Sequence, residues 1–117
     1  MKLTYAERVA VAARHSLACA RCGQHVSGLH EADVHHRVPR RMGGTRNPMS
    51  KDPRNLVLLC RSCHAWVESH RDLARMGGWL LRDYGGLNDQ LVPLSGVPFL
   101  ITADGEIVRD TLPGVGA

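Results

Sequence analysis

Apolar residues recur at helical spacing in two stretches of this chain. The first follows Thr4, which makes a capping box with Glu7; Tyr5, Val9 and Ala12-Ala13 then return every three to four positions and predict a helix over residues 4–16. The second spans about residues 61–75, with Ala65, Trp66, Leu73 and Ala74 on its apolar side and Gly77-Gly78 as its stop. Between them, residues 32–38 read as extended until Pro39, and the apolar run from Asn55 to Cys60 predicts a second, mostly buried strand. Residues 40–54 are loop by composition, carrying Gly43-Gly44, Asn47-Pro48 and Asp52-Pro53. After Gly78 come three short apolar pieces, Trp79–Leu81, Phe99–Thr102 and Glu106–Val108, with a hairpin turn at Ala103-Asp104-Gly105 and a Gly-rich tail from Pro113. The pattern predicts one domain over residues 1–78 and a small β appendage over 79–117.

Composition adds a physical demand. Hydrophobic residues make up 44% of 117, yet the large rings amount to one Phe, two Trp and two Tyr. So thin a core needs a cross-link, and a bound metal is one, because ligation free energy is folding free energy. The four cysteines form two Cys-x-x-Cys pairs, Cys19/Cys22 and Cys60/Cys63, spaced for one tetrahedral structural zinc. His25 is a substitute ligand that four thiolates make unnecessary, and Gly23 suits the positive φ of a zinc knuckle. Disulfides of an exported protein are the competing reading. Lys2, Glu7, Arg8 and Arg14 interrupt any signal-like apolar core, and no stretch is long enough to span a membrane, so a cytoplasmic protein without a membrane partner is expected.

Charge is divided along the chain. Residues 1–76 carry thirteen Lys and Arg against six Asp and Glu, a net +7; residues 77–117 carry two against five, a net −3. Arginine outnumbers lysine 13 to 2, and its planar fork suits phosphate oxygens. The basic half holds every Cys and His, which points it toward a polyanion.

The segment from Asp33 through His35-His36 to Pro39, then Gly43-Gly44, then Asn55-Leu56 and Leu59-Cys60 leading to Cys63-His64, resembles the HNH endonuclease family in its variety with a four-cysteine zinc site. Residues 39–45 and 66–71 further resemble small HNH proteins of tailed bacteriophages and prophages. The resemblance implies an α+β, ββα-metal (HNH, His-Me finger) fold with an N-terminal helix, a four-cysteine zinc site and a small C-terminal β appendage. It implies a metal-dependent DNA endonuclease, nicking or cutting both strands, that leaves 5′-phosphate and 3′-hydroxyl ends. Its expected setting is phage genome processing or packaging beside terminase subunits, with no small-molecule cofactor.

Roles follow from the same match. His36 corresponds to the general base, since a neutral imidazole suits proton abstraction near pH 7. His35 and His64 correspond to ligands of a catalytic divalent ion, Mg²⁺, Mn²⁺ or Zn²⁺. Asn55 is expected to pin the loop behind the doublet. Glu68, one turn beyond His64, is open to three roles: a further ligand, a support for His64, or a surface partner of Arg71. Asp33 shares the strand face of His35 and is a rival ligand. Adjacent strand residues point to opposite faces, so His35 and His36 reach one phosphate only if the strand is distorted or if metal and water lie on different sides. Arg37, Arg40 and Arg41 are the expected phosphate clamp, with binding that weakens steeply as salt rises. His15, His25, His30 and His70 are expected at the surface, and Trp66 and Trp79 in the core. Two other classes compete: a non-catalytic zinc-ribbon-like nucleic-acid-binding module, and an adaptor working through the acidic appendage. Three histidines on one strand and one helix favour the nuclease.

Overall fold

Thr4 starts the first helix by the expected chemistry. Its Oγ1 accepts from the Glu7 N–H at 3.1 Å while Glu7 Oε1 accepts from the Thr4 N–H at 2.8 Å, and α1 runs Tyr5–Arg14. The computed structural model describes residues 2–39, 47–88 and 92–109. Arg40 and Arg41 lie outside the described residues, as does the tail from Pro113.

His15 caps α1 and is buried, not at the surface as the sequence suggested. Its Nε2 lies 3.2 Å from Arg14 Nη2, which in turn donates to the Leu56 carbonyl, while Arg14 Nη1 donates to Pro53 O at 2.8 Å. Burial, then the adjacent Arg14 charge, push the His15 pKa down to about 4. The unfolded chain takes up a proton that the fold refuses, so this contribution to stability is full above about pH 6.5 and is lost as pH falls toward 4. His15→Gln keeps an acceptor without titrating. Urea denaturation of both proteins at pH 7 and pH 4.5 is expected to show the variant losing roughly 1–3 kcal/mol less on acidification; parallel losses would refute this.

The first sheet has two strands. β1 (Ala32–His36) pairs antiparallel with β2 (Leu56–Cys60) in a register that sets His35 opposite Val57 and His36 opposite Leu56. All of β2 is buried, as its unbroken apolar run predicts. α2 (Arg61–Ser69) follows directly. The single helix expected over 61–75 is in fact two: His70 sits at φ −125°, ψ 56°, and α3 (Arg71–Met76) starts afresh. Ser69 Oγ donates to the Ala65 carbonyl at 2.9 Å, competing with the helix's own bonds, and the His70 ring stacks on Trp66 at 5.0 Å.

The chain beyond Gly78 forms a three-stranded antiparallel sheet, β3 (Val92–Leu94), β4 (Val97–Ile101) and β5 (Ile107–Arg109), in that order. The apolar pattern does not announce β3, because Pro93 argues against a strand. It faces Pro98 across an edge ladder, where alternate pairs exchange no hydrogen bonds. Ser95 and Gly96, at φ 50° and 84°, make the tight turn between them. Trp79–Leu81 is a buried bend instead of a strand, tied by the Leu81 N–H to the Arg37 carbonyl at 2.8 Å. Trp79, Leu80, Val92 and Ile101 join Val11, β2 and Val67 in one apolar core, and the Ser95 N–H bonds the Ala20 carbonyl at 2.8 Å. Residues on both sides of position 78 therefore share their packing. Among the described residues, no helix is long and apolar enough to cross a membrane.

Candidate metal centres and active site

Cys19 and Cys22 enter on the knuckle after α1, Cys60 ends β2, and Cys63 lies in the first turn of α2. β2 and α2 thus bring the second pair against the first, and the four Sγ atoms lie within 4.8 Å of one another. Cys22 and Cys60 stand 3.9 Å apart, far beyond a disulfide bond, and all four thiols are free. A tetrahedron of metal–sulfur bonds of ~2.3 Å spaces its sulfurs by ~3.8 Å, so the group fits zinc. Gly23 has φ 78°, and a Cβ there would come to 2.7 Å from Ser95 Oγ, so a side chain at this turn of the knuckle would be strained. The Gln24 N–H points at Cys22 Sγ (3.4 Å) and Arg21 Nη1 at Cys63 Sγ (3.5 Å), donors that stabilise thiolate. Arg21 also lies 3.7 Å over the Trp66 ring, linking the knuckle to α2. As free thiols the four oppose one another. Burial pushes Cys63 up to about 12; at Cys60 burial acts the same way, but donors from Ser62 and Cys63 outweigh it and hold the group down at about 6. A divalent cation reverses that logic for all four at once.

The second group is built from β1 and α2. His35, His64 and Glu68 each offer a ligand atom within 4.8 Å of the others, and the two imidazoles meet edge-on with centroids 5.2 Å apart. Supports on either side select the nitrogens. His35 Nε2 is 2.7 Å from the Trp79 carbonyl, so it carries the proton and donates, leaving Nδ1 as the lone-pair donor. His64 Nδ1 is 2.9 Å from Asp33 Oδ2, so it donates there and leaves Nε2 free, 3.9 Å from Glu68 Oε1. Asp33 thus holds the His64 ring in place, and it is not among the three side chains whose ligand atoms converge. Glu68 divides its oxygens: Oε2 accepts from Arg71 Nη1 at 2.9 Å and Oε1 turns to His64. Burial pushes His35 down to about 4, keeping the imidazole neutral, the form that binds a metal.

The family model of the HNH endonuclease matches residues 19–68, the stretch holding both groups and the strand pair between them. Residues 19–68 belong to the HNH endonuclease family. No curated protein and no solved structure matches the chain. That family suggests nuclease activity or nucleic-acid binding and implies DNA as a substrate and a divalent ion, while the four-cysteine group suggests zinc.

The remaining HNH positions fall in three places. Asn55 is fully buried; its Oδ1 accepts from the Val38 N–H at 2.8 Å and its Nδ2 donates to Ser50 O at 3.0 Å. It ties the end of β1 to the return loop. His36 is half-buried at the last position of β1 and lies outside the His35–His64–Glu68 group. Arg37 departs from its expected role. It is 1% exposed, with Nε donating to Gly78 O and Nη1 to Arg54 O, both at 2.9 Å. Its guanidinium stitches the end of β1 to the segment after α3 and cannot reach a phosphate in solvent. The bonds of Arg37 and His35 to residues 78 and 79 are invisible in the sequence, because no local pattern relates positions more than forty apart.

Proposed function

We propose that this protein is a metal-dependent DNA endonuclease that hydrolyses phosphodiester bonds. The convergence of His35, His64 and Glu68, with Asp33 and the Trp79 carbonyl setting the two imidazoles, carries this reading. A divalent cation held there would stabilise charge on the scissile phosphate and the departing 3′ oxygen. His36, next along β1, accepts the proton of the attacking water. In-line displacement sets entering and leaving oxygens on opposite sides of the phosphorus, so a base and a ligand group on different sides of one strand end suit the reaction. Asn55 holds that strand end still, and Asp33 keeps His64 Nε2 aimed at the ion. Within our proposal the activity serves phage genome processing or packaging beside a terminase, a reading that rests on the resemblance of residues 39–45 and 66–71 to small phage HNH proteins.

A nucleic-acid-binding module without catalysis would need the four-cysteine group but not a second, separately buttressed set of ligands. Purified, zinc-loaded protein is expected to nick supercoiled plasmid once Mg²⁺, Mn²⁺ or Zn²⁺ is added, and Asp33→Asn to need about 10- to 100-fold more metal for the same rate. DNA retention without nicking under any of the three ions would favour the binding module. An unchanged metal requirement in Asp33→Asn would remove Asp33 from its supporting role.

A further inference from the structure

With Arg37 committed internally, the substrate strand needs other cations, and the structure offers a pair on and beside α1. A groove of about 420 Å³ opens beside the ligand histidine and is lined by Lys2, Leu3, Arg8, Asp33, Val34 and His64. Its far wall is the first turns of α1 and the residues before it; its near wall is β1 and the His64 side of α2. We propose that Lys2 and Arg8 bind the DNA backbone in this groove, so that the strand reaches the catalytic ion along the N-terminal helix. This rests on the nuclease reading for its biological purpose, but its physical basis is separate.

Three observations support it. Lys2 is exposed and Arg8 half-buried, and neither makes an ion pair or side-chain hydrogen bond among the described residues. By contrast Arg14, Arg54, Arg71 and Arg75 all have internal partners. The groove's one carboxylate, Asp33, accepts from His64 Nδ1, so it is engaged and its charge is offset once His64 serves a cation. The apolar Leu3 and Val34 line the same groove and offer a surface for the sugar edge of a backbone, while the charged ends meet phosphate oxygens. A groove that shares His64 with the metal group puts those phosphates next to the one being cut.

The test uses full-length, zinc-loaded protein without added divalent ion, so binding is read apart from cleavage. Fluorescence anisotropy with a short labelled duplex, over a series of salt concentrations, compares wild type with Lys2→Glu, Arg8→Glu and Arg8→Lys. Arg75→Glu, which makes the same charge change on α3, is the control. Each phosphate that goes unneutralised makes the plot of log K against log salt shallower by roughly 0.9. The glutamate variants are expected to bind about tenfold more weakly, with a slope reduced by about one each. Arg8→Lys and Arg75→Glu should stay close to wild type. Glutamate variants that match wild type, or weaken no more than Arg75→Glu does, overturn the proposal. If the wild type fails to nick but the glutamate variants still lose binding, the nuclease reading falls and the groove stands. If the wild type nicks and the variants bind unchanged, the reverse holds.

Discussion

His36→Ala is expected to abolish most plasmid nicking, a loss of about a hundred- to ten-thousandfold, with zinc content, melting temperature and DNA binding close to wild type. The range is that of removing a positioned general base. The fold should tolerate the change, because His36 stands at the last position of β1 and lies outside both ligand groups. Cleavage that survives the substitution at full rate would take the proton-accepting role from His36 and leave His35, His64 and Glu68 to act through the ion alone.

Cys60→Ser, or removal of zinc by a strong chelator, is expected to unfold the protein. Cys60 does three jobs: it ends β2, pairs with Ala32 across the sheet, and supplies one of four sulfurs at the start of α2. Structural zinc contributes on the order of 10 kcal/mol or more at neutral pH. A domain of this size has only ~5–15 kcal/mol of net stability, so losing the ion consumes most or all of it. Circular dichroism should show loss of helix and a melting transition that is absent or lowered by tens of degrees, and a metal assay should find one zinc per wild-type chain. A chelated protein that melts as before would show that the thiols hold nothing the fold requires. The two substitutions also separate the two centres: one should silence chemistry in a folded protein, the other should unfold it.

Much of the site is legible in the amino-acid sequence, for a definite reason. Metal ligation and capping impose spacing rules that a single chain displays. Cys-x-x-Cys pairs wrap one ion, Thr4 and Glu7 close a helix start, and His64 and Glu68 share a helix face because 3.6 residues make a turn. The continuous apolar run from Leu56 to Cys60 marks a strand covered on both faces, and it is. The misreadings have local causes as well. Pro93 conceals an edge strand, and the bonds of Ser69 to its own helix divide what the apolar pattern presents as one helix.

Arg37 and His15 show where such reading stops. Both are polar residues of types usually exposed, and in sequence nothing separates Arg37 from a phosphate-binding arginine. Burial is a property of what packs above a side chain. Here that cover is the carbonyls of Arg54 and Gly78 for Arg37, and Arg14 beside His15. The tautomers of His35 and His64 belong to the same class, because they depend on the Trp79 carbonyl and on Asp33. The amino-acid sequence by itself displayed the HNH resemblance, the spacing of the four cysteines and most elements, since each is written in short-range spacing. Only the tertiary structure decided which imidazole nitrogens are left free, which carboxylate holds His64, and which cations make no ion pair among the described residues. Those answers are set by the hydrogen-bond partners that distant segments bring, and a buried donor must take whichever acceptor the packing supplies.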